Sequence, residues 1–296
     1  MDTKQYRFTK DDFDIRKAPT WVADSADQLD DIKKKIASNV KRIKSAQRKM
    51  YARHRYGVLV VFQAMDAAGK DSMITHIFSG VNPVGFKIAN FKQPTALEIQ
   101  HDYLWRINEA LPERGSFGVF NRSYYEDVLV SRVHPELIMK ANLPEVNTIL
   151  DVNKDFFERR YEDIRQYEKY LSRNGYVILK FFLHISKDEQ RKRFLSRIET
   201  PRKNWKFSAA DIRERKYWDK YQRAYDKAIN ATATKKNPWY VIPSDDKWYS
   251  RLIVSDIITK RVEKMPLAYP EMTPEQEGQL AEAHQILLDE GKNKKK

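Results

Sequence analysis

Residues 61–73 read VFQAMDAAGKDSM and place a short apolar strand directly before a turn and a helix. The stretch resembles the phosphate-binding pattern G-x-x-x-x-G-K-[ST], in which backbone N–H groups and a lysine hold phosphates and a hydroxyl holds Mg²⁺. Gly69 and Lys70 fit this pattern. Ala64 stands where the first glycine is expected, and Asp71 stands where the hydroxyl is expected. The stretch is therefore either a variant phosphate cradle or a plain strand–turn–helix.

The composition of this loop favours the cradle. Small residues let backbone N–H groups approach oxygen atoms, and the start of the predicted helix adds the positive end of its dipole. The small residues are Ala64, Ala67, Ala68 and Gly69. Asp66 is unusual because a carboxylate repels phosphates unless a cation lies between them, so its simplest use is to bind Mg²⁺. Asp71 or Ser72 can assist this metal.

Strands alternate with helices along the rest of the sequence. The predicted strands are residues 57–63, 85–91, 116–121, 176–185 and 239–243. The predicted helices are residues 29–50, 70–78, 95–111, 124–133, 146–173, 186–198, 208–230, 247–263 and a last one from Thr273. Because each crossover is long enough to return parallel, this order predicts a three-layer α/β/α fold around a five-stranded parallel sheet. Ligands of such sheets bind beyond the carboxyl ends of the strands.

The chain has neither an internal repeat nor a Gly/Ser-rich linker, so we predict one domain over residues 1–270. A helical arm at about 24–56 precedes the first strand, and a basic helical segment at about 187–230 follows the fourth. We name this second segment the predicted lid. Residues 271–296 are predicted to form a C-terminal helix and a basic, disordered tail.

Composition restricts the compartment and the partners. The chain contains no cysteine, which fits a reducing, cytoplasmic location. No signal region is recognised, and no apolar run approaches the ~18 residues that span a bilayer, so no membrane association is expected. The net charge of +14 arises in two segments: residues 32–56 hold ten Lys/Arg and no acid, and residues 187–227 hold fourteen Lys/Arg against seven acids. Such segments attract polyanions, although solvated helix faces explain them equally well.

A second loop with candidate chemistry is FGVFNRSYYED, residues 117–127. The Walker B arrangement ends such an apolar strand in a carboxylate that holds Mg²⁺. Asn121 stands there instead, and an amide can offer only a neutral oxygen. Arg122 follows and can reach a phosphate bidentately. Glu126 lies in the next turn and is the nearest sequence candidate for the missing carboxylate.

A row of basic residues occupies the predicted lid. Arg193 and Arg197 are four residues apart and share one helix face. The following loop adds Arg202, Lys203 and Lys206. Lid arginines of nucleotide kinases neutralise charge on the transferring phosphoryl group, and closure of the lid excludes water. A solvated basic surface is the alternative interpretation.

Several blocks of the sequence together resemble the polyphosphate kinase 2 family. The blocks, in order along residues 57–255, are VFQAMDAAGKDS, FKQPTALEIQHDYLWR, FGVFNRSYYEDVLVSRVHPE, VILKFFLHISKDEQRKRFLSRIE, NWKFSAADI and PWYVIPSDDKWYSRL. The resemblance implies a P-loop kinase fold similar to that of thymidylate kinases, with a helical lid. It also implies Mg²⁺-dependent transfer of phosphoryl groups between inorganic polyphosphate and nucleotides.

The resemblance assigns roles by position. Asp66 and Lys70 match the Walker A residues of the family, Arg122 its Walker B arginine, and Arg193, Arg197 and Lys206 its lid. Many members read FDRSWYN where this chain has Asn121 and Glu126 in place of aspartate and asparagine. Both changes resemble the third class of the family, which accepts AMP and ADP. We therefore expect a reversible polyphosphate:nucleotide phosphotransferase that forms ADP and ATP.

The predicted site follows from these assignments. The predicted catalytic residues are Asp66, Lys70, Arg122, Glu126, Arg193 and Arg197. The predicted phosphate- and nucleotide-binding residues are Ala67, Ala68, Gly69, Asp71, Ser72, Gln93, Pro94, Thr95, Asn121, Arg202, Lys203 and Lys206. Mg²⁺, with Mn²⁺ as an alternative ion, is predicted at Asp66 and Glu126.

The expected partners are inorganic polyphosphate, AMP, ADP and ATP, with other nucleotides as further candidates. The resemblance also implies a homo-oligomer, a dimer or a tetramer. An ATP-dependent nucleoside or nucleotide kinase of the thymidylate kinase type is the nearest alternative. A nucleic-acid-binding protein is the alternative from another class, but the sequence has no helix-turn-helix, RRM or zinc pattern, and nucleic acid is not an expected partner.

Overall fold

The computed structural model describes residues 1–10, 12–22 and 29–293. Within these ranges the strands are β1 Arg7–Phe8, β2 Gly57–Ala64, β3 Phe86–Asn90, β4 Phe117–Asn121, β5 Tyr176–His184 and β6 Trp239–Pro243. The α-helices are α1 Leu29–Arg53, α2 Lys70–Ile77, α3 Ala96–Ile99, α4 Trp105–Ala110, α5 Glu126–Val133, α6 Glu136–Met139, α7 Lys154–Arg173, α8 Lys187–Glu199, α9 Ala209–Glu214, α10 Trp218–Thr232, α11 Lys247–Glu263 and α12 Pro274–Asn293. Short 3₁₀ helices occupy Lys4–Tyr6, Pro83–Gly85, Ile149–Asp151, Pro201–Lys206 and Arg215–Tyr217.

The strands form one mixed sheet in the order β1-β6-β5-β2-β4-β3. Strands β2 to β6 pair in parallel, which confirms the predicted parallel sheet. The predicted count of five is wrong, because β1 adds a sixth strand that pairs antiparallel with β6. A two-residue strand is too short to leave a period in the sequence. Every residue of the central strand β2 is buried, as a parallel strand covered on both faces requires.

Two groups of helices complete the three predicted layers. Helices α1, α2 and α11 pack together, with α11 against β6 and α2 against β2 and β4. Helices α5, α7 and α10 form the other group, in which α7 packs against β5. The parallel order brings the carboxyl ends of β2, β3 and β4 to one edge, where Asn90 and Asn121 are register partners. The loops that the sequence marks for phosphate chemistry therefore meet at this edge.

Helix bounds differ from the prediction at three places. The predicted helix at 95–111 is divided into α3 and α4, and the carboxylate of Asp102 accepts a hydrogen bond from the N–H of Leu104 between them. The predicted helix at 146–173 begins only at Lys154, because Asn153 caps its first turn. The predicted helix at 208–230 is divided into α9 and α10 by a 3₁₀ turn.

The structure describes only part of the predicted N-terminal arm and of the predicted C-terminal tail. The arm forms α1 from Leu29, and residues 24–28 lie outside the described residues. Residues 291–293, predicted as tail, continue α12, and residues 294–296 lie outside the described residues. Among the described residues, no helix combines the length and the apolar character needed to cross a bilayer.

A buried ion pair joins the centre of the sheet to one helix layer. Lys180 on β5 has its Nζ 2.8 Å from the carboxylate of Glu168 on α7, and the two side chains are 0% and 1% exposed. The ammonium also donates to the hydroxyl of Tyr125 and to the carbonyl of Thr232. Tyr124 and Tyr125 both donate their hydroxyl protons to Glu168. The network thereby fixes the segment between β4 and α5.

Lys180→Met should strongly destabilise the protein, because it leaves the buried Glu168 carboxylate without its cation. Removing one partner of a buried pair typically costs about 3–5 kcal/mol. Urea unfolding followed by circular dichroism measures the change. Lys169→Met is the matched control, since Lys169 is an exposed lysine on α7. Equal unfolding free energies for the two variants would contradict a stabilising role for the pair.

Candidate active site

The backbone of the loop between β2 and α2 is tightly turned. Ala67 and Gly69 both have positive φ, 62° and 104°. The N–H of Ala68 closes a turn onto the carbonyl of Met65 at 3.3 Å. Lys70, the first residue of α2, turns its ammonium back to donate to the carbonyl of Ala64 at 3.1 Å. The charge of the lysine therefore lies over the loop that the sequence predicts as a phosphate cradle.

Helix α8 holds this loop from one side. Gln190 donates from Nε2 to the carbonyl of Asp66 at 2.9 Å. Arg193 donates from Nη1 to the carbonyls of Ala67 and Ala68 at 3.2 and 2.7 Å. Three consecutive carbonyls thus point towards α8. Because a trans peptide places N–H opposite C=O, the N–H groups of Ala67 and Gly69 point to the other side, where a phosphate would approach.

Arg193 uses its whole guanidinium for such contacts. Its Nη2 donates to the carbonyls of Ser244 and Asp245 at 2.6 and 3.1 Å, in the loop after β6. Its Nε donates to the carboxylate of Glu189 at 2.8 Å. An arginine has five N–H donors, and together with the two bonds to the phosphate loop all five are engaged. In this structure Arg193 therefore braces the loop, and its predicted contact with a transferring phosphoryl group stays a prediction.

Arg122 is the centre of a chain of charged side chains beside the loop. Its Nη2 lies 3.1 Å from the carboxylate of Asp66, and its Nη1 lies 3.8 Å from that of Glu126. The residue has φ of 65°, which is unusual for a non-glycine residue. Its backbone N–H still bonds the carbonyl of Phe62 at 3.0 Å. The left-handed turn therefore redirects the chain after β4 while the sheet hydrogen bond is kept.

Burial shifts the proton affinity of two groups in this cluster. Burial lowers the pKa of Lys70, and the nearby Arg122 guanidinium lowers it further, whereas the carboxylates of Asp66, Glu126 and Asp71 act in the opposite direction. Burial raises the pKa of Glu126, which the charges of Arg122 and Lys70 partly offset. Three carboxylates and two cations thus lie within electrostatic range of each other, an arrangement common at functional sites.

Asn121 and Asp71, the two departures from the phosphate-binding patterns, are in direct contact. The amide Nδ2 of Asn121 donates to the carboxylate of Asp71 at 2.7 Å and to Oδ1 of Asn90 at 2.9 Å. Ser72 is engaged elsewhere, because its hydroxyl accepts a hydrogen bond from Arg251 at 2.6 Å. Within the described ranges, no group of three or more His, Asp or Glu side chains is arranged to hold a metal.

The other predicted site residues of the lid do not contact the loop in this structure. Those with a contact described below contact other residues of the lid. Arg197 donates to the carboxylate of Asp211 at 3.3 Å. Lys203 donates to the hydroxyl of Ser196 at 2.8 Å. Lys206 lies over the ring of Trp205, and Arg202 is exposed. Their predicted roles in phosphate binding stay predictions.

A cavity of about 560 Å³ opens beside Asp66 and Arg122. Gln93 and Pro94 line it, whereas the Thr95 hydroxyl accepts the N–H of Glu98 and caps α3. Its other lining residues include Tyr103, Asp127 and Arg160, and the Arg160 guanidinium lies 4.2 Å from the centre of the Tyr103 ring. The volume and the mixed polar and aromatic wall suit a nucleotide-sized ligand.

Two residues that build the site are missing from the sequence prediction. Gln190 shares its helix face with Arg193 at i+3, a spacing that signals a common contact surface. Arg251 stands beside the apolar run LIV at the start of α11, and a charge next to a buried run indicates a specific partner. That partner is Ser72. The sequence alone names neither contact, because both partners are more than a hundred residues away.

A largely parallel α/β sheet with a lysine-bearing loop at its carboxyl edge and a cavity beside that loop is an arrangement typical of phosphotransferases. The family model for polyphosphate kinase 2 (PPK2) matches residues 26–269. The chain belongs to this family.

Similar proteins match between 78% and 97% of this chain. The ADP-polyphosphate phosphotransferase of Rhodopseudomonas palustris is 48% identical over 289 residues, which cover 97% of this chain and 99% of that protein. The AMP/ADP-polyphosphate phosphotransferase of Meiothermus ruber is 45% identical over 231 residues, 78% of this chain and 81% of that protein. The crystal structure of polyphosphate kinase 2 from Arthrobacter aurescens matches with a TM-score of 0.84 and 32% identity, over 95% of this chain and 97% of that chain.

Arg193→Met should loosen the phosphate loop even without any ligand. Losing hydrogen bonds from a charged group costs about 1.5–3 kcal/mol, so exchange of the loop amides should accelerate by about tenfold or more. Hydrogen–deuterium exchange of a peptide that covers residues 65–69 measures this. Arg191→Met on the same helix is the control, because Arg191 is exposed and pairs with Asp188. Unchanged exchange in Arg193→Met would show that the loop does not depend on this brace.

Proposed function

We propose that this protein transfers phosphoryl groups from inorganic polyphosphate to AMP and ADP, forming ADP and ATP. One observation carries the proposal: the phosphate loop has a nucleotide-sized cavity beside it and, separately, a cluster of cations. The cavity begins at Asp66 and Arg122. None of the clustered cations, described next, is among the residues that line the cavity. In the proposal, the loop lies between the acceptor nucleotide in the cavity and the polyanionic donor at the cations.

The cation cluster consists of Arg193, Lys203, Lys247 and Arg251. Burial lowers the pKa of Lys247, and the charges of the other three lower it further, with Glu189 acting in the opposite direction. The three other cations repel Lys247, and a polyanion would relieve that repulsion. Trp248 extends the row, because its ring lies under Arg251 and near Lys33 of α1. The two basic segments of the sequence, α1 and the predicted lid, therefore meet at this cluster and support a polyphosphate track.

Phosphoryl transfer requires in-line positioning of the donor and acceptor and neutralisation of the charge on the transferring group. It needs no covalent enzyme intermediate. In the proposed mechanism, the N–H groups of the phosphate loop and Lys70 bind the phosphate oxygens at the point of transfer. Arg122 bridges the donor and acceptor phosphates. Its contact with Asp66 at 3.1 Å orients it when no substrate is bound. The predicted lid supplies further positive charge and excludes water, which would otherwise compete as the acceptor.

The oxygen donors beside the loop fit the predicted Mg²⁺. Mg²⁺ prefers carboxylate oxygens and is usually held by one or two carboxylates together with substrate phosphates. Asp66 would hold it in the proposal, with Glu126 the second carboxylate that the sequence predicts, and the metal would neutralise charge between the carboxylates and the phosphates. Mn²⁺ has the same ligand preference and is the expected substitute. We also propose, from the family resemblance, that the protein works as a homo-oligomer in the cytoplasm.

The decisive experiment is nucleotide formation from ADP, and separately from AMP, with polyphosphate and Mg²⁺ but no ATP. We expect ATP from ADP, and ADP followed by ATP from AMP, measured by chromatography. Lys70→Ala should reduce turnover by about 10²–10³-fold, because removing a preorganised phosphate contact has effects of this size. Lys154→Ala, an exposed lysine on α7, is the matched control. Turnover with ATP but not with polyphosphate would instead establish the nucleotide-kinase alternative.

Glu126→Gln should slow the phosphorylation of both AMP and ADP by about 10–100-fold, because outer residues that orient a charged contact have effects of this size. The carboxylate lies 3.8 Å from Arg122, and its loss removes one of the two carboxylate charges, with that of Asp66, that hold Arg122 in position. Steady-state kinetics with each acceptor measure the effect. Glu158→Gln on the exposed face of α7 controls for the substitution itself. If neither acceptor is affected, Glu126 has no role in transfer.

A further inference from the structure

The contact between Asp71 and Asn121 links two substitutions that the sequence presents as separate defects. In the general P-loop pattern, the residue after the lysine carries a hydroxyl that binds Mg²⁺, and the Walker B strand ends in a carboxylate. Here the first position is Asp71 and the second is Asn121. Their side chains are 2.7 Å apart, from the Asn121 amide nitrogen to an Asp71 carboxylate oxygen. Relative to the general pattern, the carboxylate therefore stands at position 71 instead of position 121, and these two residues are hydrogen-bonded to each other.

We infer that Asp71 is the carboxylate that holds the Mg²⁺ of this site, with the Asn121 amide orienting it. This inference rests on the proposed function, because it names a ligand for the metal of that reaction. Asn121 then acts as the outer partner that metal-binding carboxylates commonly have. Asp66 remains the second predicted carboxylate at the same loop.

The surroundings of Asn121 explain why an amide stands at this position. Its two N–H groups donate to Asp71 at 2.7 Å and to Oδ1 of Asn90 at 2.9 Å. An aspartate at position 121 has no proton to donate at neutral pH. Its carboxylate oxygen would face the oxygens of Asp71 and Asn90 without a hydrogen bond to either. The register of β3 and β4 places Asn90 directly beside Asn121. The amide is therefore matched to Asp71 on one side and to Asn90 on the other.

The other candidates for the missing carboxylate are less suitable. The side chain of Glu126 is only 19% exposed, which leaves less room for the water ligands that Mg²⁺ keeps. Ser72 accepts a hydrogen bond from Arg251 at 2.6 Å, and a guanidinium at that distance opposes a divalent cation. Asp71 is exposed, which suits Mg²⁺ because this ion keeps several of its water ligands.

The test measures Mn²⁺ binding directly, by electron paramagnetic resonance of free Mn²⁺ titrated into protein without nucleotide or polyphosphate, so that no free phosphate competes for the ion. Asp71→Ser should weaken Mn²⁺ binding by at least about 10–100-fold, because losing a ligand costs no less than losing the residue that orients it. Asp71→Ser combined with Asn121→Asp restores the general pattern, so it should recover most of the lost affinity. Asp71→Asn keeps the shape of the side chain and should behave as Asp71→Ser does. Asp155→Asn, an exposed aspartate on α7, should bind as the unmodified protein does.

Two results would overturn the inference. One is unchanged Mn²⁺ affinity in both Asp71 variants, with circular dichroism confirming that they fold. The other is loss of affinity in Glu126→Gln but not in Asp71→Asn. Because the measurement requires no turnover, it separates this inference from the proposed function. An unmodified protein that binds Mn²⁺ as expected but transfers nothing from polyphosphate would refute only the function.

Discussion

The hold that α8 has on the backbone of the phosphate loop is the constraint on which the site depends. Gln190 and Arg193 fix the carbonyls of residues 66–68, and the direction of the loop N–H groups follows from that. The loop is not glycine-rich, and Ala67 occupies a left-handed conformation that costs about 1–2 kcal/mol for a residue with a side chain. Hydrogen bonds from a guanidinium are strong enough to offset such a cost. The brace thus lets alanine stand in a loop that usually relies on glycine.

The same brace divides the charges around the loop into two groups. Carboxylates of Asp66, Asp71 and Glu126 collect near Arg122 and the cavity, whereas Lys203, Lys247 and Arg251 collect near the loop after β6. Arg193 connects the two, because it reaches both the phosphate loop and the carbonyls of Ser244 and Asp245. Because the three carboxylates alone would repel an anionic nucleotide, the cavity side depends on Arg122 and Lys70 for positive charge.

Much of this could be predicted from the sequence, and the exceptions have identifiable physical causes. The apolar runs and capping residues predict the parallel sheet and the order of its loops, because burial on both faces leaves a continuous pattern. Strand β1 leaves no such pattern, since its two residues are too few to show a period. Arg193 is predicted as a phosphate ligand because its charge is visible in the sequence. Its five acceptors are mostly backbone carbonyls, which no side-chain pattern reveals. Asp71 and Asn121 appear as two mismatches because their contact joins residues fifty positions apart.

The position of the brace on α8 also determines how the predicted lid can move. Gln190 and Arg193 lie in the first half of the helix, and Arg197 lies one turn further on. A swing of the residues beyond Arg193 leaves the loop undisturbed only if the chain bends after that residue. A rigid rotation of the whole helix would instead pull carbonyls 66–68 with it and turn the opposite N–H groups out of line. Movement of the predicted lid without distortion of the loop therefore requires the helix to bend near Arg193.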